Sequence, residues 1–195
     1  MKISFSGKKF WYWLAVLAFM VCIFSPAQAQ VRRMNVEEII QSSGTIIVGR
    51  ITDVREGKHP KYSNVDVTFV TVEVSDRIKG GNSKTHTFMQ FGGTGMLTPG
   101  DLPQYNKGEE VMLFLYPESS EGFSTPVGLT QGKFEIITDQ ITGKKSMVNG
   151  FGNKFLFEKM ESTEAMRKRK GQIAFQKAGP IEYGKFVSLI KELAK

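Results

Sequence analysis

The sequence predicts a mainly β protein, a small antiparallel β-barrel, closed or partly open, with one N-terminal helix and C-terminal helices. Between Thr45 and Phe157, short apolar segments alternate with turns rich in glycine and polar residues, which is typical of consecutive strands. One long segment changes the parity of its apolar residues midway, as a strand does where it bends at a bulge. The last residues instead repeat apolar side chains at helical spacing. Together these patterns favour a barrel with helices packed outside it.

The N-terminal helix is predicted to begin after Asn35, because asparagine is a good N-cap. Glu38 follows three residues later, where its side chain can reach back to the cap and complete a capping box. Val36, Ile39 and Ile40 then give this helix one apolar face.

The strands follow the helix in order. The unbroken apolar run 111–115 predicts a strand that is buried on both faces. In the segment 65–78, the apolar residues before and after the pair Phe69 and Val70 have opposite parity, which predicts a bulge or a sharp coil near that pair. The predicted strands are 45–54, 65–78, 84–91, 109–116, 133–138 and 145–148, with a short last strand at 154–157.

The residues after 158 are predicted to form a basic helical tail that packs on the barrel. One helix is predicted over 163–175 and a final helix after Pro180. The tail 159–195 holds 9 basic and 4 acidic residues, whereas 30–158 holds 14 and 15, so the positive charge is concentrated in the tail. We therefore divide the chain into a leader, a barrel domain over 30–158 and a tail over 159–195.

The leader, residues 1–29, has the layout of a cleaved signal peptide. Three lysines begin it, an apolar run over 10–24 follows, and Ala27 and Ala29 supply the spacing of a cleavage site. A retained membrane anchor is an alternative, although the run is shorter than the roughly 20 residues that a spanning helix needs. Lipid attachment at Cys22 is another, although the residues before it are bulky.

Composition supports export to a bacterial periplasm or the extracellular space. Cys22 is the only cysteine, and cleavage would remove it together with both tryptophans. The mature chain would then have no disulfide, no cysteine nucleophile and no cysteine metal site. Export without disulfides favours a bacterial envelope. The formal net charge of +7 includes the three lysines of the leader, and export argues against nucleic acid as a partner.

No motif in the sequence indicates a catalytic site, a metal site or a cofactor. His59 and His86 are the only histidines, and no short ligand spacing joins them to carboxylates. A serine elbow of the G-x-S-x-G type is absent, and the glycine-rich stretch 91–100 lacks the G-K-[ST] ending of a phosphate loop. An enzyme would have to assemble scattered residues such as His86, Asp66 and Glu110, so the sequence favours a non-catalytic protein.

Two groups of residues are candidates for binding. The long connection after the third predicted strand carries Thr94 and Tyr105, the latter expected to be exposed, and His86 lies on that strand. Long loops on a rigid barrel often carry function, so these three are the candidate ligand-binding residues. The second group is a basic run, which is either a solvated helix face or a contact with anionic lipid or cell-wall polymer: Arg167, Lys168, Arg169 and Lys170.

Three segments follow one another in a recognisable order: I-I-V-G-R-I at 46–51, a long strand ending in a Lys-Gly turn at 79–80, and G-E-E-V-M-L-F-L at 108–115. Over about residues 44–137 the chain resembles the barrels of netrin modules and tissue inhibitors of metalloproteinases, which implies an oligonucleotide/oligosaccharide-binding (OB) fold. Those inhibitors bind the protease zinc through an N-terminal cysteine. The predicted mature chain begins at Gln30, so neither that mechanism nor any functional residue carries over.

These observations lead us to expect an exported, non-catalytic binding or interaction protein, whose partner is another protein or an envelope polymer. The resemblance suggests a more specific alternative, an inhibitor or accessory partner of a secreted protease. A further alternative is an envelope-associated structural protein that uses the basic tail on a membrane surface. An enzyme with scattered active-site residues is the last.

Overall fold

The computed structural model describes residues 32–93, 102–158, 160 and 178–195, together with Trp11. Its contacts divide the chain into Met1–Val31 and Arg32–Lys195, and the fold below is that of the second unit. No helix in this described part of the chain is long and apolar enough to cross a membrane.

Several sequence predictions concern residues outside the described ranges. The leader 1–29 and the helix predicted over 163–175 are among them. So are the candidate ligand-binding residue Thr94 and the basic run 167–170. These remain predictions.

The described residues form one antiparallel sheet, which confirms the mainly β prediction. Its strands are β1 (Thr45–Lys58), β2 (Asp66–Lys79), β3 (Thr85–Phe91), β4 (Glu110–Leu115), β5 (Lys133–Thr138), β6 (Lys145–Asn149) and β7 (Ile181–Glu182). Their order across the sheet is β3-β2-β1-β4-β5-β6-β7, and every neighbouring pair is antiparallel. The sheet is not closed, because β3 and β7 remain as its edges.

The short strand predicted at 154–157 is wrong. Residues 151–158 form turns, and Asn153 and Phe155 have φ values of 58° and 66°, in the left-handed region that strands do not use. The partner of β6 on that side is β7, which comes from much later in the chain.

The helices are α1 (Val36–Ser42) and α2 (Tyr183–Leu193). The predicted capping box of α1 is present: the Glu38 N–H donates to Asn35 Oδ1, and the Asn35 N–H donates to the Glu38 carboxylate, both at 2.9 Å. Where the sequence predicted more than one C-terminal helix, the described residues contain only α2.

The sheet carries a hydrophobic core on each face. In the helix-side core, α1 and α2 pack on the sheet, and the ring of Phe134 lies 5.5 Å from that of Phe114 and 5.0 Å from that of Phe186. The far-side core lies on the other face and includes Phe88 and Tyr105. Residues 111–115 of β4 alternate between the two cores and are all fully buried, so the prediction of burial on both faces is confirmed.

Strands β1 and β2 form a long ribbon whose irregularities lie in β1. Beside Phe69 and Val70, near which a bulge or coil was predicted, β2 itself pairs continuously, and the nearest register shift lies in β1, where Thr52 has no partner next to the pair of Asp53 and Thr71. Another shift falls at Gly49, where a Cβ atom would lie 2.2 Å from the Glu73 carbonyl oxygen. Only glycine permits this close approach of the two backbones. The parity change in β2 instead reflects apolar residues on both faces of the ribbon.

Candidate functional site

A groove of about 500 Å³ lies beside the edge strand β3. It is lined by the loop after β1, the loop after β4, and residues of β2 and β3. Its larger polar side chains belong to His59, Lys61, His86, Tyr116, Glu118 and Glu121. Both histidines of the chain therefore line one concave surface, although they are 27 positions apart in sequence.

His59 joins the two loops. Its Nδ1 accepts hydrogen bonds from the backbone N–H groups of Lys61 and Tyr62 at 3.1 and 3.2 Å, so Nδ1 carries no proton. Its Nε2–H donates to the carbonyl oxygen of Glu121 at 2.8 Å. The residue is 4 % exposed, and both of its ring nitrogens have hydrogen-bond partners. His59 is thus a positioning residue that fixes the shape of the groove.

The Glu121 carboxylate strengthens the same junction. It accepts hydrogen bonds from Tyr62 Oη at 2.8 Å and from Lys61 Nζ at 3.1 Å. These bonds, that of Tyr62 first, hold the pKa of Glu121 below its usual range. The loop after β1 and the loop after β4 are consequently tied by side chains as well as by the His59 ring.

A row of aromatic rings begins at the groove residue His59. His59 stacks on Tyr62 at 4.9 Å and packs against Phe123 at 5.1 Å, and Phe123 lies 6.4 Å from Phe91. Tyr62, Phe91 and the groove residue Tyr116 are 38 %, 49 % and 38 % exposed. Large exposed aromatic side chains concentrated on one part of a surface are typical of binding sites.

The loop after β4 also pairs briefly with β3. Met89 forms a parallel bridge with Phe123, and the Ser124 N–H donates to the Met89 carbonyl oxygen at 2.9 Å. Pro126 forms a second bridge, to Leu115 of β4. The segment therefore reaches from the end of β4 to the edge of β3.

His86 lies in the groove as a half-buried side chain, and its ring stacks on that of Phe88 at 6.3 Å. Burial lowers its pKa, and the positive charge of Arg77 lowers it further, against an opposing effect of Glu118. Because the ordinary histidine pKa is about 6.5, His86 is neutral at pH 7.

The scattered enzyme constellation of His86, Asp66 and Glu110 is not assembled. Asp66 forms an ion pair with Lys58 at 2.5 Å, and Glu110 is bound by Arg50 and Lys145 in a separate groove. No group of three or more His, Cys, Asp or Glu side chains among the described residues is placed to hold a metal ion.

The expectation that Tyr105 is exposed is wrong. Its side chain belongs to the far-side core and meets Phe88 edge to face at 5.6 Å. It is 8 % exposed, and its hydroxyl has no hydrogen-bond partner among the described residues. Burial raises the pKa of this hydroxyl well above its ordinary value. Tyr105 is buried because its ring packs with Phe88 in the far-side core.

Tyr105→Phe is expected to leave the free energy of unfolding unchanged or to raise it by about 1 kcal/mol, because it removes a buried hydroxyl that has no partner. Urea unfolding measures this. The matched control is Tyr62→Phe, which removes a hydroxyl bonded to Glu121 at 2.8 Å and should lower the stability by up to about 1 kcal/mol. A loss above about 1 kcal/mol for Tyr105→Phe would contradict the prediction.

Of the predicted ligand-binding residues, only His86 lines the groove in the described part of the chain. Three groove residues were not predicted from the sequence: Tyr116, Glu118 and Glu121, which follow a buried strand in a polar loop. That position, directly after an apolar strand, was the one available signal for them. Comparisons of the chain with protein-family models, with curated proteins and with solved structures find no match.

Proposed function

We propose that this chain is an exported, non-catalytic binding module and that the groove beside β3 holds a segment of a partner protein. The observation that carries the proposal is the groove itself, a concave surface of about 500 Å³ with exposed aromatic rings beside it and two loops tied together around it. The leader pattern supports export.

The position of the groove supports an OB-type fold. In that fold, the loops between strands 1 and 2 and between strands 4 and 5 form the ligand surface with strands 2 and 3. The same elements line the groove here. The bridges of Phe123 to Met89 and of Pro126 to Leu115 connect the loop after β4 to both β3 and β4, which is compatible with this proposed fold.

The rigidity of the two loops suits binding. The His59 ring and the Glu121 carboxylate fix both loops through hydrogen bonds that are already made in the free protein. A partner then gains affinity because little loop ordering remains to oppose binding.

The chemistry of the groove favours a protein partner over nucleic acid. Glu118 and Glu121 place carboxylates where a phosphate backbone would need cations. Tyr116 adds an amphipathic ring, a residue type that is enriched in protein interfaces.

The proposal is tested by selecting a displayed library of short random peptides on the immobilised full chain and measuring the affinity of a selected peptide by fluorescence anisotropy. Tyr116→Ala is expected to weaken binding about tenfold or more. Ile141→Ala is the control, because Ile141 is 96 % exposed but does not line the groove. Failure to enrich any peptide, or equal binding by Tyr116→Ala and the native chain, would refute the proposal.

A further inference from the structure

The edge of β3 beside the groove presents unpaired backbone groups. The Val74 N–H donates to the Lys84 carbonyl oxygen at 2.8 Å, and the Gly92 N–H donates to the Asp66 carbonyl oxygen at 2.9 Å. With the register between them, these bonds direct the backbone groups of the even-numbered residues of β3 toward β2. The odd-numbered residues therefore direct their N–H and C=O groups toward the free edge.

Within the described ranges, the loop after β4 covers this edge at Met89 alone. Met89 is paired with the loop after β4, through the bridge to Phe123 and the bond from Ser124. Just before Phe123 the same loop makes a turn, in which the Gly122 N–H donates to the Ser119 carbonyl oxygen at 2.9 Å.

Thr85 and Thr87 lie next along the uncovered edge. Both are exposed, and in the described part of the chain the outward N–H and C=O of Thr87 and the outward C=O of Thr85 have no partner, whereas the Thr85 N–H donates to Ser83 Oγ at 3.2 Å. Thr87 also lines the groove.

The groove also carries one uncompensated negative charge. Glu121 is already paired with Lys61 at 3.1 Å, whereas Glu118 has no ion pair among the described residues. His86 does not supply a positive charge at pH 7, because burial lowers its pKa. A ligand that fits the groove electrostatically therefore brings a cation to Glu118.

We propose that an extended segment of the partner protein adds to β3 as a further strand, pairing its backbone with Thr85 and Thr87 and placing a lysine or arginine beside Glu118. This inference rests on the proposed function and states how the partner is held. Strand addition draws affinity from main-chain hydrogen bonds and specificity from alternate side chains. The added strand would continue, along the edge of β3, the pairing that Phe123 and Ser124 begin at Met89.

The direct test compares Thr87→Pro with Thr87→Val, using a peptide selected on the full chain as described above. Proline removes the outward N–H while leaving the bonds between β2 and β3 intact, as prolines at sheet edges do. Both variants lose the hydrogen bond of the hydroxyl to Thr71, so that loss cancels in the comparison. Thr87→Pro is expected to weaken binding about tenfold or more, and Thr87→Val to change it by less than about twofold.

A second measurement does not depend on a variant that folds. In the native chain, amide hydrogen exchange at Thr87 is expected to be fast without peptide and to slow at least about tenfold when the peptide is bound. Selected peptides should also carry lysine or arginine. Glu118→Gln should weaken the binding of these peptides and reduce the salt dependence of their binding.

The outcomes separate this inference from the proposed function. If Tyr116→Ala weakens peptide binding but Thr87→Pro does not, and the Thr87 amide stays unprotected, strand addition is overturned and the groove remains the binding site. If neither variant weakens the binding of the peptide, the proposed function itself fails. Selected peptides without basic residues would overturn the assigned contact with Glu118.

Discussion

Lys133→Ala is expected to lower the free energy of unfolding by about 3–5 kcal/mol, because it leaves a buried carboxylate without its partner. Lys133 Nζ lies 2.6 Å from Glu109 and 2.5 Å from the Gln104 carbonyl oxygen, and its side chain is only 8 % exposed. The Glu109 side chain is 15 % exposed, so water screens the pair poorly. Equilibrium urea unfolding, followed by circular dichroism, measures the change.

A matched surface pair provides the control. Lys145 Nζ also lies 2.6 Å from a carboxylate, that of Glu110, but the lysine side chain is 41 % exposed. Because water screens that pair, Lys145→Ala should lower the free energy of unfolding by less than about 1 kcal/mol. Equal losses in the two variants would show that burial does not decide the strength of the Lys133 pair.

Phe186→Ala is expected to lower the free energy of unfolding by about 3–5 kcal/mol. Phe186 is fully buried in α2, and its ring lies 5.0 Å from that of Phe134 in the helix-side core. Truncation would leave a cavity between the helix and the sheet that the surrounding aromatic rings cannot fill by relaxing. Thermal and urea unfolding of the full chain would measure the loss.

Lys185→Ala is the control for this prediction. Lys185 is the preceding residue in α2, and its exposed side chain forms a surface ion pair with Glu182 at 2.8 Å. Its replacement should change the free energy of unfolding by less than about 0.5 kcal/mol. A loss below about 1 kcal/mol for Phe186→Ala would mean that α2 contributes little to the core.

The elements that the sequence predicts well depend on local signals. The capping box of Asn35 and Glu38 needs only residues three apart, and the double burial of 111–115 follows from an unbroken apolar run. The strand predicted at 154–157 failed because aromatic residues there occupy turns, and a pattern of apolar residues does not reveal positive φ values.

The candidate site could not be predicted because its contacts are distant in sequence. The bond between His59 and Glu121 joins residues 62 positions apart, and nothing near either one indicates the other. Tyr105 shows the same difficulty. Its polar neighbours in sequence suggest a surface loop, whereas its ring packs on Phe88 of β3. The local sequence describes each side chain but not the partner that the fold brings to it.

Residues 111–115 of β4 have no face in contact with water, and this has a consequence for unfolding. Residues 111–115 supply side chains to both cores, so neither core can separate while the other stays intact. We expect the sheet and both helices to open together, as one cooperative unit. A partner bound at the edge of β3 would then also stabilise the packing of α2 on the helix-side face of the sheet, although the partner would not contact α2 in the groove.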